Sequence, residues 1–374
     1  MVKMKNKNYD KAKVELVNKP CSVDVFSNAY VLPHKKDHSV WGIGGVLDEN
    51  KNYVVSSGYA GWFPFGGKYD FDENQISFYD EDVIWFGIFT YHWGHFLVDN
   101  VSRMWYLVHN YNNEKIAYVS KGKEIDSNFE DFFIKLGVPA EKLFPVKRPS
   151  KFRNVIIPEY AKTDYAYYAD FLGIFSKVIN NTLSQSKPEC VTSKVYLSRL
   201  SFKDAQNKEF GEKQIEKFFA EEGYLVLYPE RMSLSEQIVM INNSKTIACI
   251  NGTIPLNICF AANKNLELIV LNKSAIPHSN LFDFQKIFDI SNVVYFDVFN
   301  NRYDRFVKSL GNGPFVLKLT KELVDYVSIS PNYKCLNNGI GYKIQEKIFF
   351  YKRLFVLLMM KLAKKILSIR TKLK

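Results

Sequence analysis

Cysteine is scarce in this 374-residue chain. Its five cysteines, Cys21, Cys190, Cys249, Cys259 and Cys335, are odd in number, widely spaced and without a Cys-x-x-Cys pair. Neither a disulfide framework nor a zinc site is expected from them, and a reducing compartment is. Long apolar runs are missing as well. No stretch reaches the about 18 residues that a bilayer crossing needs, and the opening MVKMKNKNYDKAK lacks the apolar centre of a signal peptide. A cytoplasmic protein is therefore expected. The Gly-x-x-x-x-Gly-Lys-[Ser/Thr] loop is absent, which excludes the P-loop class of NTPase, and so is the Gly-x-Gly-x-x-Gly dinucleotide fingerprint. Outside its tail the chain also lacks an excess of either charge. The formal net charge is +11, but residues 342–374 hold ten Lys/Arg against one Glu, leaving 40 basic and 38 acidic residues in 1–341. With no motif that reads RNA or DNA, no nucleic-acid partner is expected.

What is present is an apolar content of 47%, with 30 Phe and 23 Tyr, enough to bury sizeable cores. The length suggests two domains. From about residue 80 to 160 strand-like and helix-like patterns alternate: DVIWFG, the long helical FTYHWGHFLVDNVSRMWYLVHNY, KIAYVS, NFEDFFIKLG and NVIIPEY. That rhythm belongs to a parallel sheet. The first 75 residues mix Gly with aromatics (WGIGG, GYAGWFPFGGKYDF) and read as short strands and loops on the edge of that sheet. After the helical ADFLGIFSKVINNTLSQ, the polar stretch SQSKPE marks a boundary near residue 188. The second half alternates five strands with four helices, from KVYLSR to NVVYFDVF, with a Ser233-Leu-Ser-Glu236 capping box. The pattern predicts an α/β protein in which residues 1–188 and 189–341 form two Rossmann-like domains facing across a cleft. In such folds ligands lie outside the carboxyl ends of the strands.

Three groups of residues could carry chemistry. His95, Asp99 and Arg103 follow at i, i+4, i+8 and share one face of a helix, beside His92. An imidazole and a carboxylate so placed could take the proton of an attacking hydroxyl, or could serve as a buried charge ladder. In TIACINGTIPLN, a β-branched strand runs into Asn251-Gly252-Thr253, and Pro255 marks the first turn of a helix whose free amides could hold an anion. Arg199 ends KVYLSR at the carboxyl edge, where a guanidinium could pair with phosphate. Two triplets, Asp70-Phe-Asp72 and Asp80-Glu-Asp82, could ligate a divalent ion or be solvated turns.

These motifs together resemble glycosyltransferase family 61. HFLVDNVSR resembles the family's His-x-x-x-Asp-x-x-x-Arg element; KVYLSR, PERMSLSEQIVMINNSKTIACING and NGTIPLNICFA resemble its carboxyl-terminal block. Asn251 stands where the family commonly has His, Leu200 where many members have a second basic residue, and Ser102 where Pro is frequent. The resemblance implies a GT-B fold and an inverting transfer with no essential metal and no cofactor. It places His95 and Asp99 as catalytic residues, and Arg199, Gln237, Asn251, Gly252, Thr253 and Asn257 around a nucleotide-sugar donor. His92 and Arg103 stand on the acceptor side. The alternatives are a metal-dependent GT-A enzyme using an Asp-x-Asp triplet and a non-catalytic nucleotide- or polysaccharide-binding module.

On a helical wheel, residues 342–374 place Lys343, Lys347, Arg353, Lys361, Lys364, Lys365 and Lys372 in one sector around an apolar LFVLLMM. A basic amphipathic helix of this kind could lie on an anionic membrane, at the inner face of the cell membrane. That would suit a glycan or lipid-linked acceptor in a bacterial surface polysaccharide pathway.

Overall fold

Residues 83–89 are apolar on both faces, as a strand covered on both sides requires. In the computed structural model, which describes residues 12–37, 41–61, 64–186, 192–336 and 339–372, they form the buried carboxyl half of the strand Ser77–Phe89. This strand lies between Lys115–Ser120 and Ser150–Pro158, and Leu143–Pro145 follows beyond Lys115–Ser120; all four run parallel. Numbered along the chain, their spatial order is 3-2-1-4, so the order reverses between Ser77–Phe89 and Ser150–Pro158. The Gly-aromatic region supplies Val23–Ser27, Tyr30–Lys35 and Ile43–Leu47, which continue the sheet antiparallel beyond Ser150–Pro158. Ser77–Phe89 bulges between Trp85 and Gly87. Gly87 holds φ +107, and a Cβ there would sit 3.2 Å from the Tyr160 hydroxyl, so the bulge needs glycine for its backbone and for its neighbour.

The second sheet is parallel throughout. Its order is Leu225–Leu227, Thr192–Leu197, Ser244–Ile250, Glu267–Asn272, Val293–Asp297, or 2-1-3-4-5 in chain numbering. The reversal falls between Thr192–Leu197 and Ser244–Ile250. The five expected strands and the intervening helices Glu212–Glu221, Leu234–Asn243 and Ser279–Ile287 are in place, and the Ser233–Glu236 capping box is formed.

Two helices differ from expectation. TIPLNICFAAN is a 3-10 helix over Ile254–Phe260, so the anion site expected from an α-helical N-terminus reduces to a tight turn. The long helix through HFLVDNVSR is broken into Trp93–Val98, a 3-10 turn Asn100–Arg103, and Trp105–His109. The break has a local cause. Asn100 bonds back to the preceding strand, its Nδ2 donating to Ile88 O at 2.7 Å and its Oδ1 accepting from Thr90 N at 3.3 Å, and so competes with helical geometry. The expected boundary at residue 188, and Cys190, lie outside the described residues.

The two sheets share one aromatic core. Phe132 and Phe175, from helices Ser127–Leu136 and Ala169–Leu183, pack on Phe260, while Phe171 and Phe175 meet Phe284 and Phe288. The chain ends in a 33-residue helix, Ile340–Lys372. Its first half docks: Phe350 lies 4.5 Å from Tyr303 and 5.2 Å from Phe306, and Arg353 donates twice to Asn312 O. Arg353, expected in the basic sector of a membrane-surface helix, is instead buried there. Beyond it Phe355, Val356, Leu358, Met359, Met360, Leu362 and Ile366 are exposed. Among the described residues no helix is long and apolar enough to cross a membrane.

Candidate active site

The helix Trp93–Val98 begins just past the carboxyl end of Ser77–Phe89, beside the first reversal of strand order. His92 caps it, its Nδ1 accepting from His95 N at 3.3 Å. One turn on, His95 Nδ1 lies 3.0 Å from Asp99 Oδ2. Asp99 Oδ1 accepts from Tyr59 OH at 2.6 Å and from Lys162 Nζ at 2.8 Å. Lys162 comes from just past Ser150–Pro158, on the other side of the reversal. Burial alone would raise the Asp99 carboxyl, but the Lys162 ammonium and hydrogen bonds from His95, Lys162 and Tyr59 outweigh it and hold it at about 2. An acid that strong is a poor proton acceptor at neutral pH. His95 has a side chain 31% exposed against 9% for Asp99, so the imidazole is the group a substrate can reach. With Asp99 accepting at Nδ1, Nε2 is the nitrogen on which a proton would arrive. Trp41 sets its ring edge-on to His95 at 5.7 Å and stacks on Tyr59 at 5.2 Å.

Arg103 does not join them. The helix break turns it away, and its guanidinium donates to Pro158 O (2.8 Å), Ser56 O (2.6 Å) and Gly58 O (3.2 Å) over the Tyr160 ring. It is fully buried and clamps the Gly-aromatic loop to the sheet.

Arg199 and Asn251-Gly252-Thr253 follow the two strands that flank the second reversal, so the topology brings them together. A Cβ on Gly252 would lie 2.6 Å from Arg199 Nη1. Only glycine lets the guanidinium approach so closely. Asn251 is buried, its Nδ2 donating to Asn272 Oδ1 and its Oδ1 lying 2.8 Å from His278 Nδ1. An imidazole is thus present beside the position where the family commonly has one. Gln237 and Asn257 are buried in a chain of amides: Trp93 Nε1 donates to Asn257 Oδ1 (2.7 Å), Asn257 Nδ2 to Gln237 Oε1 (2.9 Å), and Gln237 Nε2 to Pro229 O and Met232 O. Their side chains connect the two halves.

The two reversals meet. Gly94, in the His95 helix, sits so that a Cβ would be 3.4 Å from Thr253 Oγ1. Beside this contact a cavity of about 500 Å³ is lined from both halves, by Tyr91, Trp93, Asn128, Arg231, Thr253 and Asn257 among others. A second, of about 330 Å³, lies beyond Arg199 against Glu209, Glu212 and Tyr342. The Asp triplets are elsewhere. Asp80 and Asp82 lie near the amino end of Ser77–Phe89 and pair with Arg153, and Asp72 caps a 3-10 turn. Among the described residues no three metal-ligating side chains cluster.

Sequence reasoning missed Tyr59, Lys162, Glu209, Lys273 and His278. For Lys162 and Lys273 a signal existed. Each follows the carboxyl end of a parallel strand closely, where the sheet rule directs attention.

A mixed and a parallel sheet whose strand-order reversals converge on an imidazole–carboxylate pair and an arginine-bearing loop fit the class of α/β glycosyltransferases, and residues 93–268 match a family model of that class. The family is the one described as Glycosyltransferase 61, and the matched segment contains His95, Asp99, Arg199 and Gly252. The protein is a glycosyltransferase of glycan synthesis, with a nucleotide-sugar donor and an acceptor as its substrates. No curated protein matches the sequence.

Proposed function

We propose that the chain is an inverting, metal-independent glycosyltransferase of GT-B arrangement that moves a sugar to a glycan or lipid-linked acceptor of a surface polysaccharide. The observation that carries this reading is the meeting of the His95 helix with the Arg199–Gly252–Thr253 corner at the Gly94–Thr253 contact. The acceptor hydroxyl gives its proton to His95 Nε2, and Asp99 stabilises the imidazolium through Nδ1–H. The acceptor oxygen bonds to the anomeric carbon as the bond to the diphosphate breaks, so a single displacement inverts the configuration. The charge gathering on the leaving diphosphate faces Arg199 and the Gly252 and Thr253 amides, the donors aimed where it develops. Asp99, held ionised by Lys162, orients the base and does not act as one.

The test is turnover against a panel of nucleotide sugars, with and without chelator. Transfer is expected to persist in chelator, and His95→Ala is expected to lower it about 100-fold or more with the fold intact. Arg199→Ala should abolish it. Loss of activity in chelator would favour an enzyme working through Asp70/Asp72 or Asp80/Asp82, and nucleotide-sugar binding without transfer would favour a binding module.

The terminal helix supports a location at the cytoplasmic face of an anionic membrane. Its undocked part joins exposed apolar side chains to exposed Lys361 and Lys365, and each lysine near such a surface adds about 1 kcal/mol of attraction.

A further inference from the structure

Lys273 follows the strand Glu267–Asn272, outside the segment that matches the family, and it is nearly fully buried. Its ammonium lies 2.8 Å from Glu209 Oε1 and 4.3 Å from the Phe315 ring centre. Arg199 Nη1 reaches the same oxygen at 3.3 Å. Glu209 Oε2 is buried and has no hydrogen-bond partner. Arginine–carboxylate pairs are frequently bidentate, with both oxygens engaged. Here both cations share one oxygen, and both also approach one point, the face of Gly252. A Cβ built there would be 2.6 Å from Arg199 Nη1 and 3.6 Å from Lys273 Nζ.

Charge arithmetic gives the arrangement a purpose. Glu209 with Arg199 alone would be a neutral pair, with nothing left to attract an anion. Lys273 restores one positive charge to the cluster. Glu212 accepts from Arg199 N at 2.8 Å and from Tyr196 OH at 3.2 Å, and burial followed by the charge of Glu209 pushes its carboxyl up to about 7. It therefore offsets that positive charge only in part at neutral pH.

Resting on the reading of the Arg199–Gly252 corner as the donor's diphosphate site, we propose that Lys273 is the second cation of that site, held by Glu209 until the diphosphate arrives and then shared with it. A lysine is suited to the exchange, since its flexible stem lets one ammonium move between two oxyanions without a fixed fork geometry.

The experiment is calorimetric titration of the full chain with uridine, guanosine, cytidine and thymidine diphosphates and the matching monophosphates. Wild type, Lys273→Met, Lys273→Arg and the double variant Glu209→Gln/Lys273→Met are compared, each first checked by its melting curve. For the diphosphate that wild type binds, Lys273→Met is expected to weaken binding about tenfold or more and the monophosphate less, with Lys273→Arg recovering most of the loss. The double variant decides between roles. If Lys273 only kept Glu209 from seizing Arg199, removing both charges would restore wild-type affinity and overturn the proposal; a persistent loss supports it. Unchanged affinity in Lys273→Met also overturns it. If wild type binds no diphosphate, the donor-site reading itself fails and the inference falls with it, an outcome distinct from a wild type that binds and an Arg199→Ala variant that does not.

Discussion

Asp99 concentrates more of the chemistry than any other single residue. Its carboxylate is held by Lys162, His95 and Tyr59, and removing its charge would leave a buried ammonium without its partner. Asp99→Asn is expected to cost about 3–5 kcal/mol of stability, read from urea midpoints. The same group sets an acid limit. Its folded carboxyl titrates at about 2, below the ordinary value of 3.8, so its contribution is complete above about pH 4 and is lost as pH falls from there toward 2. The effect is on the order of 2 kcal/mol. Unfolding measured from pH 5 to pH 2 should show a slope in that window which Asp99→Asn lacks. At Gly252 the expected effect is functional. Gly252→Ala displaces the tip of a flexible arginine and no backbone, so the melting temperature should stay while nucleoside diphosphate affinity falls about tenfold. The His95–Asp99 pair was legible in the sequence because four-residue spacing is a helical contact. For its partner Lys162 the sequence signalled only a place just past a strand's carboxyl end; the pairing with Asp99, 63 residues away, was not legible, because no local pattern encodes a meeting that the order of strands creates.

At the scale of elements, the second half was readable because each strand and helix carries its own periodicity and caps. Trp93–His109 was not, because Asn100 interrupts it through contacts with the preceding strand. The Gly-aromatic segment gave no register, since its strands Tyr30–Lys35 and Ile43–Leu47 are fixed by each other and by Ser150–Pro158, yet it supplies Trp41 and Tyr59 to the site. That the terminal segment is helical was legible, but its division into a docked and an exposed part was not. Phe350 and Arg353 belong to the docked part, so deletion from residue 345 onward would damage the body. Truncation after Leu357 is the clean test. It should leave the melting temperature unchanged and abolish sedimentation with phosphatidylglycerol vesicles, and retained sedimentation would remove the helix from membrane binding.

For the whole molecule, the shared core matters most. Phe260 joins the second half to Phe132 and Phe175 of the first, so Phe260→Ala is expected to cost about 3–5 kcal/mol. Calorimetry of wild type and variant should each show one transition, because the core between the sheets is common to both, although each sheet also packs an apolar cluster of its own. Two successive transitions would contradict the shared core. The alternation of strands and helices read from the second half is found in its sheet, but it says nothing of which aromatic faces meet across the molecule.

That core also bears on how the chain is made. Phe171 and Phe175 leave the ribosome long before Phe284 and Phe288, which cover them. About a hundred residues separate the two sets, which at about 5–20 residues per second is on the order of 5–20 s of synthesis. Through that interval the nascent first half presents an uncovered aromatic face to the cell, a natural docking point for chaperones, and the amino-terminal sheet waits on the last third of the chain for its final packing.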